Sequence, residues 1–443
     1  MIAFMKQVST LPRNEGPTGW AALLPPRNPR PALGGEVRAD WAVLGAGFTG
    51  LAAARRLAEA RPDDSIVVLD ALAVGEGASG RNSGFAIDHA HTLGGGAAEA
   101  ESAKGQKRLY TAAVEHLRGL VDAHGIDCDW RACGKYHAAA SPRGTEKYLR
   151  PLLAELDHIG ESYEWLSGEE MRAAIGIEHY HAGIYTPGTV LVNPAALVRG
   201  LADHLPANVT LYENAPVTEI VPGNGITLRT AQGEVTASKL ILATNAFTPA
   251  LGFAANRLLP FAAFASLSAP MNEGQQAALG GKPTWGLTPA NAFVAPTIQR
   301  TSDHRILYRD GILFRPGLSL GAGELEEIRA THEAHFRARF PMLEGLQLEH
   351  TWGGYLCMSR NQDSVFGAVA DGIWAAAGFQ GIGVTRGTIA GRLVADMAMG
   401  IANPLTEDMM RIASPPANPP RPFLDMGVTL RTVWEAWSER DER

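Results

Sequence analysis

A regular hydrophobic pattern begins at Asp40, where the chain reads WAVLGAGFTGLAAARRLAEARPDDSIVVLDA. A continuous apolar run over 41–44 predicts a buried strand, since strands covered on both faces have this pattern. The glycines that follow predict a turn, and apolar residues at helix spacing then predict a helix that ends before Pro62. A second apolar run over 66–69 completes a predicted β–α–β unit.

Further along the chain, the pattern changes between helix and strand periods. Leu109, Ala113 and Leu117 at helix spacing predict helices between residues 96 and 174. The runs VTEIV, ITLRT and EVTA, separated by turns, predict a small meander that leads into the apolar strand KLILAT. Residues 260–349 mix strand-like and helical runs, which predicts an antiparallel sheet backed by helices. The segment GIWAAAGFQGIGVTRGTIAGRLVADMAMG predicts one more strand, glycine turn and helix.

Composition narrows the class of protein. The chain has 443 residues, 46% hydrophobic and 19% charged, as expected for a folded protein of two or three domains. The formal net charge is −7, and without a Lys/Arg cluster the chain is not expected to bind nucleic acid. Three cysteines without CxxC spacing predict neither a disulfide framework nor a metal site. With no apolar segment typical of a signal peptide or membrane span, a cytoplasmic protein with small-molecule partners is expected.

The turn inside the β–α–β unit carries the first chemical motif. Gly45-Ala-Gly-Phe-Thr-Gly50 is a GxGxxG sequence between a strand and a helix, the arrangement that a dinucleotide pyrophosphate requires. The helix N-terminus offers backbone N–H groups and the positive end of its dipole to the diphosphate. Asp70 ends the second strand, about 20 residues after the motif, where an acidic residue binds ribose hydroxyls. Together these features predict a dinucleotide site.

A second glycine-rich loop indicates which dinucleotide the chain binds. After the second strand the chain reads DALAVGEGASGRNSGF instead of the third strand and helix of a simple NAD domain. Backbone N–H groups of such a loop can reach the far end of an extended ligand, because no side chains stand in the way. FAD fits this pattern better than NAD.

The segments DWAVLGAGFTGLAAARRLAEA, VVLDA and VGEGASGRNSGF together resemble the D-amino-acid-oxidase (DAO) superfamily of FAD-dependent oxidoreductases. The branch of gamma-glutamylputrescine oxidoreductase and bacterial L-pipecolate oxidase is the most similar. The likeness continues in PRPALGGEVRAD, KLILATNAFTPAL, TWGGYLCMSRNQDSVFG and AAAGFQGIGVTRGTIAGRLVADMAMG. The resemblance implies an α/β fold with a Rossmann-like FAD domain of the glutathione-reductase type. A second domain, an antiparallel sheet with helices, would bind substrate.

The resemblance also implies where FAD is bound. The ring system would run past 79–83, with Thr244 and Asn245 beside the diphosphate and Val217 beside the adenine. The helix after 381–383 could aim N–H groups at the negative charge that reduced flavin carries near N1 and O2. The candidate cofactor contacts are Gly45, Ala46, Gly47, Phe48, Thr49, Gly50, Asp70, Ala71, Gly77, Ala78, Ser79, Gly80, Arg81, Asn82, Ser83, Gly84, Val217, Thr244, Asn245, Gly378, Gly381, Ile382, Gly383 and Val384.

These motifs predict discontinuous domains. The expected parts are an N-terminal arm over 1–36; an FAD domain over 37–88, 186–250 and 350–400; a substrate domain over 89–185 and 251–349; and a C-terminal connector with an amphipathic helix over 401–443. In that last helix Leu430, Val433, Trp434 and Trp437 share one face. We expect this face to pack on the body of the protein or on a neighbouring subunit, so the prediction includes a homo-oligomer.

The resemblance implies oxidation of a C–N bond in an amine or amino acid, by hydride transfer to flavin N5. The resulting imine would be hydrolysed, and molecular oxygen would accept the electrons and become hydrogen peroxide. Two alternatives stay open. One is a dehydrogenase that passes electrons to a quinone or a protein, and the other is a flavin-binding subunit of a larger complex. No residue specifies which amine or amino acid is the substrate.

The candidate catalytic residues are His89, Arg81, Tyr355 and Arg309, and His91 and Arg360 are further candidates. His89 and His91 would point to the same side of a strand just past the flavin loop. Arg81 could bind a substrate carboxylate or a flavin carbonyl, or it could brace the loop through an internal ion pair. Aromatic residues that could line the pocket, with core packing as the alternative for each, are Phe261, Phe264, Trp285, Phe293 and Trp352.

Cys357 raises the question of covalent flavin. Some sarcosine-oxidase relatives attach the flavin through a cysteine near this segment, but Cys357 falls one residue out of register with that position. A shift of one residue places a side chain on the other face of a strand. Non-covalent FAD is therefore expected.

Overall fold

A computed structural model of the chain describes residues 5–89, 97–321 and 323–443. The strands in these residues are β1 (Lys6–Gln7), β2 (Gly35–Leu44), β3 (Ile66–Leu69), β4 (Phe85–Ala86), β5 (Lys135–Ala139), β6 (Glu164–Ser167), β7 (Ala182–Thr186), β8 (Val190–Leu191), β9 (Val209–Tyr212), β10 (Glu219–Gly223), β11 (Gly225–Arg229), β12 (Gly233–Leu242), β13 (Leu259–Ser268), β14 (Trp285–Pro289), β15 (Thr297–Arg300), β16 (Ile306–Phe314), β17 (Leu348–Met358), β18 (Val365–Ala370) and β19 (Ile373–Ala377).

The α-helices are α1 (Gly19–Ala22), α2 (Phe48–Ala60), α3 (Ala97–His124), α4 (Pro142–Gly144), α5 (Arg150–Ile159), α6 (Gly168–Ile175), α7 (Pro194–Asp203), α8 (Glu273–Leu279), α9 (Glu324–Arg339), α10 (Thr385–Met399), α11 (Pro404–Met410) and α12 (Phe423–Ser438). Short 3₁₀ segments cover Ala78–Gly80, Asn245–Leu251 and Arg440–Glu442, and a π-helical turn covers Thr145–Leu149. None of the helices in the described part of the chain is long and apolar enough to cross a bilayer.

The larger sheet has the strand order β1–β10–β11–β12–β2–β3–β9, and β19 joins it at β12 with β18 alongside. β2 is parallel to β3 and β12, as the β–α–β unit predicts. The predicted runs EVTA and KLILAT form the single strand β12, because nearly all of β12 pairs with β2. The carboxyl ends of β2, β3 and β12 therefore lie at one edge of the sheet.

Helices α2, α3 and α10 cover one face of this sheet. Phe48, Leu117 and Leu393 are among the buried residues of their common core. The span of α3 was predicted to lie in the substrate domain, but this helix packs on the nucleotide-binding sheet. Helix periodicity shows that a face is apolar and does not show which neighbour covers it.

The second sheet has the order β17–β13–β16–β15–β14–β5–β7–β6. Its neighbours are antiparallel, except that β14 and β5 are parallel. β17 pairs with β13 along its length, so residues 350–358 lie in this sheet and not in the nucleotide-binding one that the sequence favoured. The fold class, an α/β nucleotide-binding part with a second and mainly antiparallel sheet, is confirmed.

The N-terminal segment joins the two sheets. β1 pairs with β10 of the larger sheet, and α1 inserts the buried side chain of Trp20 beside Trp352 of β17, with ring centroids 6.4 Å apart. The indole N–H of Trp20 donates to the backbone oxygen of Asn82 at 2.8 Å. The N-terminal segment therefore contacts both sheets and the second glycine loop, and holds this loop in place between the sheets.

The C-terminal helix α12 is attached mainly at its C-terminal end. Glu439, directly after the helix, accepts hydrogen bonds from Lys147 at 2.7 Å and from Arg143 at 3.2 Å. Glu442 accepts from the backbone N–H of Ala140 at 2.9 Å. The apolar face of α12 is exposed to solvent, so the expectation that this face packs on the body of the protein is wrong.

Candidate active site

The first glycine loop is as tight as its sequence predicts. Gly45 has φ +107°, and a Cβ there would lie 2.7 Å from the backbone oxygen of Ala243. A Cβ on Gly50 would lie 1.7 Å from the oxygen of Gly45. Gly47 is the N-cap of α2, and the backbone N–H of Phe48 donates to the hydroxyl of Ser79 at 3.1 Å. The two glycine loops therefore meet at the positive end of this helix dipole.

Asp70 lies beside the first glycine loop. Its Oδ2 accepts a hydrogen bond from the backbone N–H of Ala46 at 2.6 Å, and its Oδ1 accepts from that of Leu72 at 2.9 Å. Burial raises the pKa of Asp70 to about 6, although both of these hydrogen bonds oppose the rise. The carboxylate therefore faces the dinucleotide loop in a poorly solvated position, which suits an acceptor for ribose hydroxyls.

In the second glycine loop, Arg81 and Asn82 hydrogen-bond mainly to backbone. Arg81 donates to the carbonyl oxygens of Glu76 at 2.5 Å, of Gly353 at 3.0 Å and of Gly16. Asn82 donates to the oxygen of Ser79 at 2.7 Å and accepts from the N–H of Gly84 at 2.9 Å. These contacts favour a bracing role for Arg81, with carbonyl groups in place of the ion-pair partner that the sequence suggested. A catalytic role for Arg81 stays a prediction.

The third glycine segment, residues 378–383, lies beside the end of β12. The side-chain oxygen of Asn245 accepts a hydrogen bond from the N–H of Gly378 at 2.9 Å. The hydroxyls of Thr244 and Thr248 are 3.0 Å apart. α10 begins at Thr385, directly after this segment, so its N-terminus points toward the same region as the other two loops.

One cavity of about 1400 Å³ joins these loops to the second sheet. Of the predicted cofactor contacts, the cavity is lined by Gly45, Ala46, Gly47, Phe48, Thr49, Asp70, Ala71, Gly77, Ala78, Ser79, Arg81, Asn82, Ser83, Val217, Thr244, Asn245, Gly381, Ile382, Gly383 and Val384. Gly50, Gly80, Gly84 and Gly378 lie behind this lining and shape the loops. The four predicted catalytic residues, His89, Arg81, Tyr355 and Arg309, also line the cavity.

Arg309 on β16 brings a buried positive charge to the cavity wall. Its guanidinium donates to the backbone oxygen of Ala292 at 2.9 Å and to the hydroxyl of Thr297. Within the described residues, no carboxylate forms an ion pair with it; the adjacent Asp310 is hydrogen-bonded to His335 at 2.7 Å. Burial lowers the pKa of Arg309 to about 10, and the group therefore stays charged at neutral pH.

His89 belongs to a buried network of charged groups at the cavity wall. Its Nδ1 lies 3.3 Å from Oδ1 of Asp88, and Oδ2 of the same carboxylate accepts a hydrogen bond from Lys107 at 2.6 Å. Lys107 pairs in addition with Glu161. Burial and the charge of Lys135 lower the pKa of His89. His89 is therefore neutral at pH 7, and its catalytic role stays a prediction; His91 lies outside the described residues.

The remaining predicted pocket residues divide into two groups. Phe261 and Phe293 line the cavity, as do Arg360 and Cys357. Phe264, Trp285 and Trp352 are buried in the core instead, which is the alternative that the sequence left open. The hydroxyl of Tyr355 donates to Glu15 at 2.8 Å, and burial raises the pKa of the Cys357 thiol. A neutral thiol is a poor nucleophile, so non-covalent FAD remains the expectation.

Sequence reasoning missed several polar residues of the cavity wall. They come from the N-terminal segment, β5, the π-helical turn, α5, the turn before β15, β15 itself and α12. They include Arg13, Glu15, His137, Tyr148, Glu155, Asn291, Thr297, Arg431 and Glu435. These residues do not belong to any short sequence motif that would have identified them. Only the chain's path around the cavity brings them together.

A strand–GxGxxG–helix unit with an acid after the next strand, joined by a large cavity to a second sheet, is the architecture of a dinucleotide-dependent oxidoreductase. The family profile described as FAD dependent oxidoreductase (DAO) matches residues 40–397. The chain belongs to this family, and the resemblance seen in the sequence is confirmed. FAD is therefore its cofactor, and the cradle formed by the three glycine loops fits a long dinucleotide.

Two relatives match this chain over more residues than the family profile does. The chain is 26% identical over 416 residues to the probable oxidoreductase OrdL of Rhizobium meliloti, which covers 92% of this chain and 94% of that protein. It is 27% identical over 388 residues to gamma-glutamylputrescine oxidoreductase of Escherichia coli, and the match covers 84% of this chain and 87% of that protein. The similarity thus includes both sheets.

Solved structures confirm the fold. Glycine oxidase from Geobacillus kaustophilus superposes with a TM-score of 0.69 at 20% identity, covering 83% of this chain and 96% of that one. L-proline dehydrogenase from P. horikoshii superposes with a TM-score of 0.67 at 17% identity, and the match covers 84% of this chain and 96% of that one. At these identities the likeness concerns the fold alone.

Proposed function

We propose that the chain oxidises the C–N bond of an amino acid, a carboxylate-bearing amine, in an FAD-dependent reaction. The observation that carries this proposal is the buried guanidinium of Arg309, which lines the FAD cavity without an ion-pair partner among the described residues. A buried unpaired cation is costly, and a substrate carboxylate would compensate its charge with two parallel hydrogen bonds. Amines without a carboxylate are the second candidate class, from the resemblance.

Bound FAD would supply the acceptor for a hydride, which carries the two electrons of the oxidation. The chain's own residues would then hold the substrate. Arg309 would fix the carboxylate, while Phe261 and Phe293, whose ring centroids are 6.0 Å apart, would exclude water from the reacting carbon. The substrate amine must be neutral to release a hydride.

The test is anaerobic bleaching of the bound flavin by matched pairs of compounds, each an amino acid and the amine that lacks its carboxylate. We expect amino acids to bleach the flavin at much lower concentration. Arg309→Met should weaken the apparent affinity for the best amino acid by about 100-fold, since a charged hydrogen-bonded pair is lost, and should leave the amine unchanged. Arg309→Lys should recover part of the affinity.

The control is Arg337→Met, because the side chain of Arg337 is 75% exposed on α9. If amines and amino acids bleach the flavin equally, or if Arg309→Met affects both equally, the carboxylate proposal fails. For the acceptor we propose molecular oxygen, as the resemblance implies. Comparing hydrogen peroxide formation with dye reduction in air distinguishes an oxidase from a dehydrogenase.

A further inference from the structure

Helix α12 presents a row of large apolar side chains to solvent. The exposed fractions are 70% for Phe423, 58% for Met426, 67% for Leu430, 63% for Val433, 54% for Trp434 and 65% for Trp437. No residue of this helix is buried. Monomeric proteins rarely expose a continuous apolar patch of this extent, so a partner surface is indicated.

The opposite face of α12 is already in use. Leu424, Val428, Arg431 and Glu435 line the FAD cavity, which Phe423 and Gly427 also border. Glu435 accepts a hydrogen bond from the side chain of Asn291 at 3.3 Å. Rotating the helix to bury its apolar row would remove these residues from the cavity wall. Because none of the described residues covers the apolar row, a second molecule is its expected partner.

The spacing of the row suits a second helix. Phe423, Met426, Leu430, Val433 and Trp437 follow one another at intervals of three and four residues. This average of 3.5 residues keeps one seam facing a partner helix along two heptads. A flat or irregular surface would require no such period.

We propose that the row is covered by the α12 helix of a second copy of this chain, in an antiparallel pair about a twofold axis at Leu430. The row is self-complementary in this arrangement: Phe423 faces Trp437, Met426 faces Trp434, and Leu430 faces its own copy. Gly427 lies opposite Val433, a small residue against a larger one. A twofold interface requires self-complementarity of this kind.

The size of the row agrees with a dimer. With aromatic side chains of about 150–250 Å² each, the exposed fractions correspond to roughly 700 Å² of apolar area, close to the about 800 Å² that each partner contributes to a standard interface. A lipid surface fits less well, because helices that lie on membranes are rich in Lys and Arg on their polar face. α12 carries two acidic side chains and one basic side chain.

Sedimentation of the full-length, FAD-loaded protein at micromolar concentration tests the proposal. We expect a dimer for the wild type and a monomer for Leu430→Glu. In a dimer of this variant two carboxylates would face each other, so the dissociation constant of the dimer should rise at least about 100-fold. Thr429→Glu adds the same charge about 100° around the helix and should remain dimeric. Flavin content should not change, because the side chain of Leu430 is exposed and does not line the cavity.

Disulfide trapping identifies the contact. Under mild oxidation Leu430→Cys should give a covalent dimer through its symmetric position, whereas Thr429→Cys should not. A monomeric wild type, a dimeric Leu430→Glu variant or equal trapping of both cysteine variants would overturn the proposal. So would a wild type that is monomeric in solution and sediments with phosphatidylserine vesicles, since a membrane would then be the partner. None of these readouts depends on the substrate.

Discussion

Gly50 and Gly119 show how differently the structure constrains two glycines in helices. A Cβ on Gly50 would lie 1.7 Å from the backbone oxygen of Gly45, which cannot move without opening the first glycine loop. A Cβ on Gly119, in the middle of α3, would meet nothing within 4 Å. The close approach of helix and strand at Gly50 is the reason that the motif ends in glycine.

We therefore expect Gly50→Ala to lower the free energy of unfolding of the apoprotein by about 3 kcal/mol or more, because the new methyl group overpacks rigid backbone. The same change at Gly119 should raise it by up to about 1 kcal/mol, since alanine favours an exposed helix position. Denaturant unfolding of the two variants measures both effects. Equal destabilisation would show that the loop is not closed as described.

The elevated pKa of Asp70 predicts a pH dependence of cofactor binding. In the apoprotein this pKa is about 6, and ribose hydroxyls that donate to the carboxylate would lower it. FAD affinity should therefore be constant above pH 6 and fall below it, by up to about tenfold per pH unit, until the lower pKa of the complex is reached. Titration of apoprotein with FAD by fluorescence measures this.

Asp70→Asn is the matched control for that titration. It keeps the shape of the side chain and removes its charge, so affinity at pH 7.5 should fall by about tenfold, as charged hydrogen bonds weaken, and the pH dependence should disappear. The amide has one acceptor oxygen, so it can accept from the N–H of Ala46 or from that of Leu72 but not from both, and the apoprotein should lose about 1–3 kcal/mol of stability. An unchanged pH profile would exclude Asp70 as the titrating group.

Among the elements, the short helix α1 has an influence beyond its four residues. Its Trp20 packs against Trp352 and donates to the oxygen of Asn82, while the indole of Trp352 donates to the oxygen of Arg81 at 3.0 Å. Two indole groups thus hold consecutive carbonyls of the second glycine loop. The loop geometry depends on a segment that carries no recognisable motif.

Trp20→Ala should lower the free energy of unfolding by about 3–5 kcal/mol through loss of a buried aromatic side chain, and it should speed the release of FAD. Trp20→Phe keeps most of the ring and loses only the hydrogen bond to Asn82, so it should cost about 1 kcal/mol. Stopped-flow mixing with an excess of an apoprotein that binds FAD, which traps the released cofactor, measures release. An unchanged release rate in Trp20→Ala would contradict control of the loop by α1.

At the level of the whole molecule, the cavity exists because two sheets meet across the second glycine loop. Arg81 binds Gly353 of β17, and the side chain of Gln299 on β15 donates to the oxygen of Ser83 at 3.0 Å. The cofactor loop is therefore fixed by the sheet that bears Arg309. α12 closes one side of the same cavity and presents its other face outward, which connects the proposed dimer contact to the wall of the site.

The sequence allowed the β–α–β unit, the meander, α10 and nearly all cofactor loops to be predicted. These features depend on local rules: apolar period, glycine at a close backbone approach and an acid at a strand end. The domain limits were less accurate, at α3 and β17, because an apolar face does not identify the element that covers it. His89 and Arg309 were found as candidates, whereas Asn291 and Glu435 were not.

The use of a dinucleotide cofactor was thus readable from the amino acids, because a few consecutive residues form each glycine loop. The substrate pocket was not readable, because its wall is assembled from the N-terminal segment, six strands of the second sheet, the π-helical turn with α5, and α12, which are far apart along the chain. The face of α12 was predicted as apolar from its period alone. That this face points to solvent followed only once the other face was seen against the cavity.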